Sequence, residues 1–149
     1  MAYKGKYKII NSSKYKGDYT NIIYRSLWER RFMVYCDTTD SILKWSSEEI
    51  SIPYRSPIDR KVHKYYPDFF VEILNTQKKK QRILIEVKPK KQTQPPKISK
   101  TKTARYLKEV KTWGINSAKW EAAVSFCKQK KWQFMILTED QLTSKYKTK

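Results

Sequence analysis

The sequence predicts a mixed α/β domain, a small mixed β-sheet flanked by helices. Three observations lead there. Tyr24, Leu27, Trp28, Phe32 and Tyr35 recur at three- and four-residue spacings, the period of an amphipathic helix. Ile50, Ile52 and Tyr54, and again Ile83, Ile85 and Val87, alternate with polar or charged residues, the period of a half-buried strand. A second helical stretch then precedes a short apolar run at 134–137. The order helix, three strands, helix, strand suits one layered domain, and 149 residues is an ordinary length for one.

Residues 1–19 read as an irregular basic arm, interrupted by Gly5, Asn11, Ser12, Ser13 and Gly17. The first helix is expected from Asn21 to about Cys36, and an extended segment over 42–54. SPIDRK at 56–61 supplies turn chemistry, and an aromatic-rich strand follows from Lys64 to Leu74. The polar turn NTQKKK leads into a third strand from Arg82 to Lys88. Pro89, Pro95 and Pro96 break 89–103 into a basic loop. A short helix from Ala104 to Trp113 is expected to stop at Gly114, with Ser117 capping another that runs to about Lys130. Residues 20–140 then form the domain, and 141–149 a basic tail. No internal repeat is visible.

Composition narrows the partners. The chain carries 33 Lys and Arg against 14 Asp and Glu, a formal net charge of +19, which calls for a polyanion. Residues 78–105 hold eleven of the basic residues and a single acid, Glu86. The first seventeen residues add Lys4, Lys6, Lys8, Lys14 and Lys16, interleaved with Tyr3, Tyr7 and Tyr15. Ammonium groups beside rings suit phosphate contact and base stacking. Lys4, Lys6, Lys14, Lys90, Lys91, Lys97 and Lys100 are therefore candidate contacts to nucleic acid; a solvated basic surface is the competing account of either run. A content of 39% hydrophobic and 14% aromatic residues excludes a disordered basic tail. No segment approaches the roughly 20 apolar residues of a membrane span, no basic amphipathic helix is evident, and no secretory signal is expected at MAYKGKYKII. Cys36 and Cys127 read as reduced core thiols, and with His63 the sole histidine a Cys/His zinc site is excluded by count.

Two segments carry the chemistry: Tyr66-Pro67-Asp68-Phe69-Phe70 and Ile85-Glu86-Val87-Lys88. Glu86 and Lys88 are two apart, so a strand points both to one face. If the two strands pair across the 75–80 turn, Asp68 lies at that same end of the sheet. Carboxylates converging near a lysine can hold Mg²⁺, which activates water and neutralises a phosphodiester, while the lysine meets developing charge. An exposed strand face with a turn at Pro67 is the competing reading. It is weakened by the apolar setting of Asp68 among Tyr65, Tyr66, Phe69 and Phe70. Glu29, in SLWERRF beside Trp28 and Phe32, either reaches inward or pairs with Arg25, Arg30 or Arg31. Asn116, Lys119, Gln133 and His63 are weaker candidates, better read as capping or surface residues.

Pro67-Asp68, seventeen intervening residues, then Glu86-Val87-Lys88 resembles the PD-(D/E)XK nuclease superfamily. The order of elements is similar to the restriction-endonuclease-like core of the TnsA-type transposase endonucleases. KYYPDFFVEI, SEEISIPY, the long run from YKGKYKII to VYCD, and KWEAAVSFC with WQFMILTED resemble the head-completion nucleases of T-even-type tailed phages, over roughly residues 3–140. This resemblance implies Asp68 and Glu86 as metal ligands, Lys88 as the catalytic lysine, and Glu29 as a further metal contact. Glu86 stands where some relatives use glutamine, and is the better ligand. Also implied are Mg²⁺-dependent cleavage of DNA, with Mn²⁺ a possible substitute, and action after packaging, when the filled head is joined to a tail. The partners would be double-stranded DNA and the portal and neck proteins, the location the head and neck region of the virion and the host cytoplasm during assembly. A structural connector that binds DNA ends and scarcely cuts is the alternative. A junction-resolving endonuclease would need a stable dimer, for which the chain carries no legible heptad.

Overall fold

The computed structural model describes residues 4–142. The mixed α/β expectation holds: a four-stranded sheet lies between helical layers. Its strands are β3 (Ile42–Ser47), β6 (Phe69–Leu74), β7 (Lys80–Val87) and β8 (Gln133–Leu137), in the order β3-β6-β7-β8. The first two pairings are antiparallel and β7–β8 is parallel, so the sheet is mixed. The parallel pair needs a crossover, and α2 (Ala104–Lys130) supplies it.

Strand alternation sorts the two faces. Phe69, Val71, Ile83 and Ile85 turn toward α1 (Leu27–Thr38), whose Phe32, Met33 and Cys36 are buried with Trp45. Phe70 and Leu84 turn the other way, toward Ala123 and Cys127 of α2 and a hairpin of β4 (Ile52–Arg55) with β5 (Val62–Tyr65). Both cysteines are free and buried, as expected of reduced core thiols. A short α3 (Glu139–Leu142) follows β8, with Leu142 in the α1-side core. No helix among the described residues is long and apolar enough to cross a membrane.

Four expectations need correction. The first helix begins at Leu27 rather than Asn21, because Ile23–Tyr24 pairs as β2 with β1 (Gly5–Lys6), and Ser26 caps the helix by accepting from Glu29 N–H at 3.1 Å. The 42–54 segment is two strands, parted at Glu48, whose backbone is left-handed (φ 54°). Likewise Lys64–Leu74 is parted at residues 66–68, where Pro67, lacking an N–H, lets the chain pass from the hairpin into the central sheet. Last, α2 runs unbroken through Gly114 and Ser117. A helical glycine costs about 1 kcal/mol relative to alanine, less than the burial of Asn116, Ala123 and Cys127 on one continuous helix. The left-handed stop falls at Lys131 (φ 60°), where Trp132 N–H closes on Cys127 O at 2.8 Å.

Residues 4–19 are largely irregular, as read, but they pack against the domain. Tyr7 and Tyr15 are buried with their rings edge-on to Trp45, at 6.1 and 4.9 Å between centroids. The buried Asp37 accepts from Tyr7 Oη (2.7 Å), Ile10 N–H (2.8 Å) and Asn11 N–H (2.9 Å). Glu49 accepts from Tyr15 Oη at 2.9 Å and Asp18 N–H at 3.2 Å. The expected tail at 141–149 lies outside the described residues from position 143 onward.

Candidate active site

Pairing of β6 with β7 sets Phe69 opposite Ile85, which brings Asp68 beside Glu86 one step further along. Asp68 Oδ2 accepts from Val87 N–H at 2.7 Å. On its other side, Glu48 N–H donates to Asp68 O at 3.1 Å, continuing the β3–β6 ladder. Asp68 is thus held between two strands at the same end of the sheet.

Glu86 is 5% exposed, which disposes of the solvated strand face. Strand parity turns it to the Leu84 side, where Tyr65 at the root of the hairpin donates to Glu86 Oε1 at 2.9 Å. Lys88 Nζ stands 3.7 Å from Oε2, so both carboxylate oxygens are engaged. Burial, then the Glu86 charge, holds the Tyr65 hydroxyl well above its ordinary pKa, so it remains a donor.

Glu29, Glu48 and Asp68 converge from α1, the end of β3 and the start of β6. Each offers one carboxylate oxygen, and these lie within 4.8 Å of one another. Glu86 stands outside that trio, next to Asp68. Glu29 Oε1 accepts from Arg25 N–H at 3.3 Å, and its Oε2 lies 3.5 Å from Ser26 Oγ, so it also closes the start of α1. Arg25 pairs through its guanidinium with Glu48. Burial, and then the Glu86 charge, drives the Asp68 carboxyl well above the usual carboxylate range; burial raises Glu29 as well, with Glu48 adding to it. Crowded oxygen anions of this kind fit a hard divalent cation, which relieves both their desolvation and their repulsion.

Residues 39–139 match the family described as TnsA-like endonuclease N terminal. The chain belongs to the TnsA-like endonuclease family. It is also similar to the head completion nuclease of Enterobacteria phage T4, at 41% identity over 146 residues, 95% of either chain. The matched TnsA-like segment holds Glu48, Asp68, Glu86 and Lys88, while Glu29 sits on the helix before it.

Glu48 is the site residue that sequence reasoning missed. Glu48-Glu49 is a pair of adjacent acids in a strongly basic chain, the one available signal, yet the two do different work: Glu49 holds the N-terminal segment and Glu48 faces Asp68. The basic candidates also divide. Lys4 and Lys6 are exposed, as are Lys91, Lys97 and Lys100. Lys14 is committed elsewhere, its Nζ donating to the carbonyls of Cys36 (2.7 Å), Asp37 (3.3 Å) and Thr39 (2.8 Å). Lys90 Nζ lies 3.3 Å from Asp140 Oδ2, and its N–H donates to Glu139 at 2.6 Å.

Proposed function

We propose that this chain is a metal-dependent deoxyribonuclease of phage head completion, cutting DNA phosphodiesters where Glu29, Asp68, Glu86 and Lys88 meet. The observation that carries this reading is Glu86: a chain of charge +19 buries an acid, binds it to Tyr65, and sets it beside Asp68 and Lys88. A surface that only holds DNA has no use for that arrangement.

Asp68, Glu86 and Glu29 would hold Mg²⁺, or Mn²⁺ in its place, with Glu48 completing an all-oxygen set. A cation held there would supply a water of lowered pKa and neutralise the phosphodiester. Lys88 donates to charge that develops on phosphate oxygen. Tyr65 and Val87 N–H hold Glu86 and Asp68 in place, so no carboxylate must reorient during the reaction. Lys4, Lys6, Lys91, Lys97 and Lys100 contact backbone phosphates of the bound DNA, a role that Lys14 cannot share while three carbonyls hold it. The name of the phage T4 relative supports head completion as the setting; the portal and neck proteins as partners, and the virion head and neck region and the host cytoplasm during assembly as locations, belong to this proposal.

The test is cleavage of linear and circular duplex DNA with Mg²⁺, with EDTA, and with folded Glu86→Ala and Asp68→Ala proteins. We expect metal-dependent cutting that both variants lose while DNA affinity is kept or slightly raised, since removing negative charge relaxes repulsion of phosphate. Undiminished cutting by either variant overturns the site. Tight binding without cutting under any condition favours a structural connector.

A further inference from the structure

Away from the acids, a groove of about 650 Å³ opens between the 91–99 segment and the N-terminal half of α2. Lys91, Lys97, Arg105 and Lys108 line it, with the partly exposed rings of Tyr106 and Trp113. Its one acid, Glu109, is taken by Arg105 at 3.3 Å. None of Glu29, Glu48, Asp68 and Glu86 lines it.

With Arg105 held by Glu109, the three lysines call for an anion, and phosphate on an open surface would satisfy them. The rings require more. Trp113 is no core tryptophan like the fully buried Trp45: it borders open space, and the edge of Trp120 holds it at 5.9 Å between centroids and 79° between planes. Intact duplex keeps its bases stacked inside, so it offers nothing to rings set in a groove. An unpaired strand offers both a phosphate chain and free base faces. The volume lies within the roughly 300–1,000 Å³ of pockets that hold compact organic ligands, room for a base or two. The groove also begins at Lys91, three residues after Lys88 leaves the site.

We propose that this groove binds an unpaired DNA segment, its bases stacking on Trp113 and Tyr106 and its phosphates meeting Lys91, Lys97 and Lys108. The preferred substrate is then DNA with a single-stranded end or flap next to the cut bond. The inference rests on the DNA-nuclease reading and names the form of its substrate.

The experiment uses the full chain in EDTA, so that no strand is cut. Fluorescence polarisation compares a short oligothymidylate with a blunt duplex, for wild type, for Tyr106→Ala, and for Lys97→Ala with Lys108→Ala; these side chains lie at the surface. A 5-iodouracil-bearing oligothymidylate is crosslinked and the modified peptide mapped. We expect Tyr106→Ala to weaken oligothymidylate binding about fivefold or more with blunt-duplex affinity little changed, the lysine pair to flatten its salt dependence, and the crosslink to fall on Trp113 or Tyr106. Unchanged oligothymidylate affinity in Tyr106→Ala, or a crosslink elsewhere, overturns the groove. A wild type that binds the duplex but ignores oligothymidylate overturns the groove alone. One that binds neither overturns the DNA reading beneath it.

Discussion

Tyr65 donates its hydroxyl to Glu86 Oε1 at 2.9 Å, tying the root of the β4–β5 hairpin to the central strand that bears the site. With Lys88 on the opposite oxygen, this contact fixes how Glu86 faces Asp68. Tyr65→Phe keeps the ring and removes the tie. We expect it to lower affinity for Mg²⁺ about 10- to 100-fold, as loss of an outer hydrogen-bonding partner does at metal sites, and to destabilise the fold by about 1–3 kcal/mol. Calorimetric titration and thermal unfolding measure the two effects. Unaltered metal affinity would mean that Tyr65 serves packing only.

The raised Asp68 carboxyl has a consequence for stability. Its folded pKa lies above its unfolded one, so the folded state binds the proton more tightly, and stability is lost as pH rises from the ordinary carboxylate range through the folded value. At neutral pH burying this carboxyl is a cost in metal-free protein. Asp68→Asn, which can still accept from Val87 N–H, should therefore raise the Tm at pH 7, by roughly 2–4 °C for each kcal/mol relieved, with the gain shrinking toward pH 4. Mg²⁺ at a hundred times its Kd should stabilise the wild type by about 2.7 kcal/mol and the variant far less. A lower Tm in Asp68→Asn, or an equal response to Mg²⁺, would contradict this account.

Asp37 has no exposed surface and accepts three hydrogen bonds from residues 7–11. Asp37→Ala leaves those donors without their acceptor, so we expect a loss of at least about 3 kcal/mol. Residues 4–19 should detach first, and limited trypsin digestion should then cut at Lys8, Lys14 and Lys16 while the sheet stays resistant. Equal resistance in both proteins would show that the tyrosines alone hold the segment.

At Gly114 the nearest atom to an added Cβ is Pro57 Cγ at 3.7 Å, an ordinary contact. Gly114→Ala should accordingly stabilise α2, by about 0.5–1 kcal/mol. Denaturant unfolding decides it, and a destabilised variant would mean that the glycine matters for the seating of Pro57.

How much of this was legible depended on the range of the interactions. Asp68, Glu86 and Lys88 could be read because a short turn joins their strands and strand periodicity is local. The two core cysteines and the helical character of 104–113 and 117–130 followed from the same kind of pattern. The Gly114 stop was misread because local propensity was weighed without the tertiary burial that overrides it. Glu48 was invisible for a different reason: its left-handed backbone breaks the alternation that would have assigned its face, and it meets Asp68 only through the β3–β6 pairing.

The chain's own pattern determined a basic α/β fold with acids and a lysine at one end of its sheet, since charge, periodicity and turn chemistry act over a few residues. Only the tertiary structure decided which lysines remain free, Lys14 being spent on three carbonyls, and which acids form a group. Contacts between Glu29, Glu48 and Asp68 span up to 39 positions of chain, and no local rule encodes the long-range packing that closes such distances.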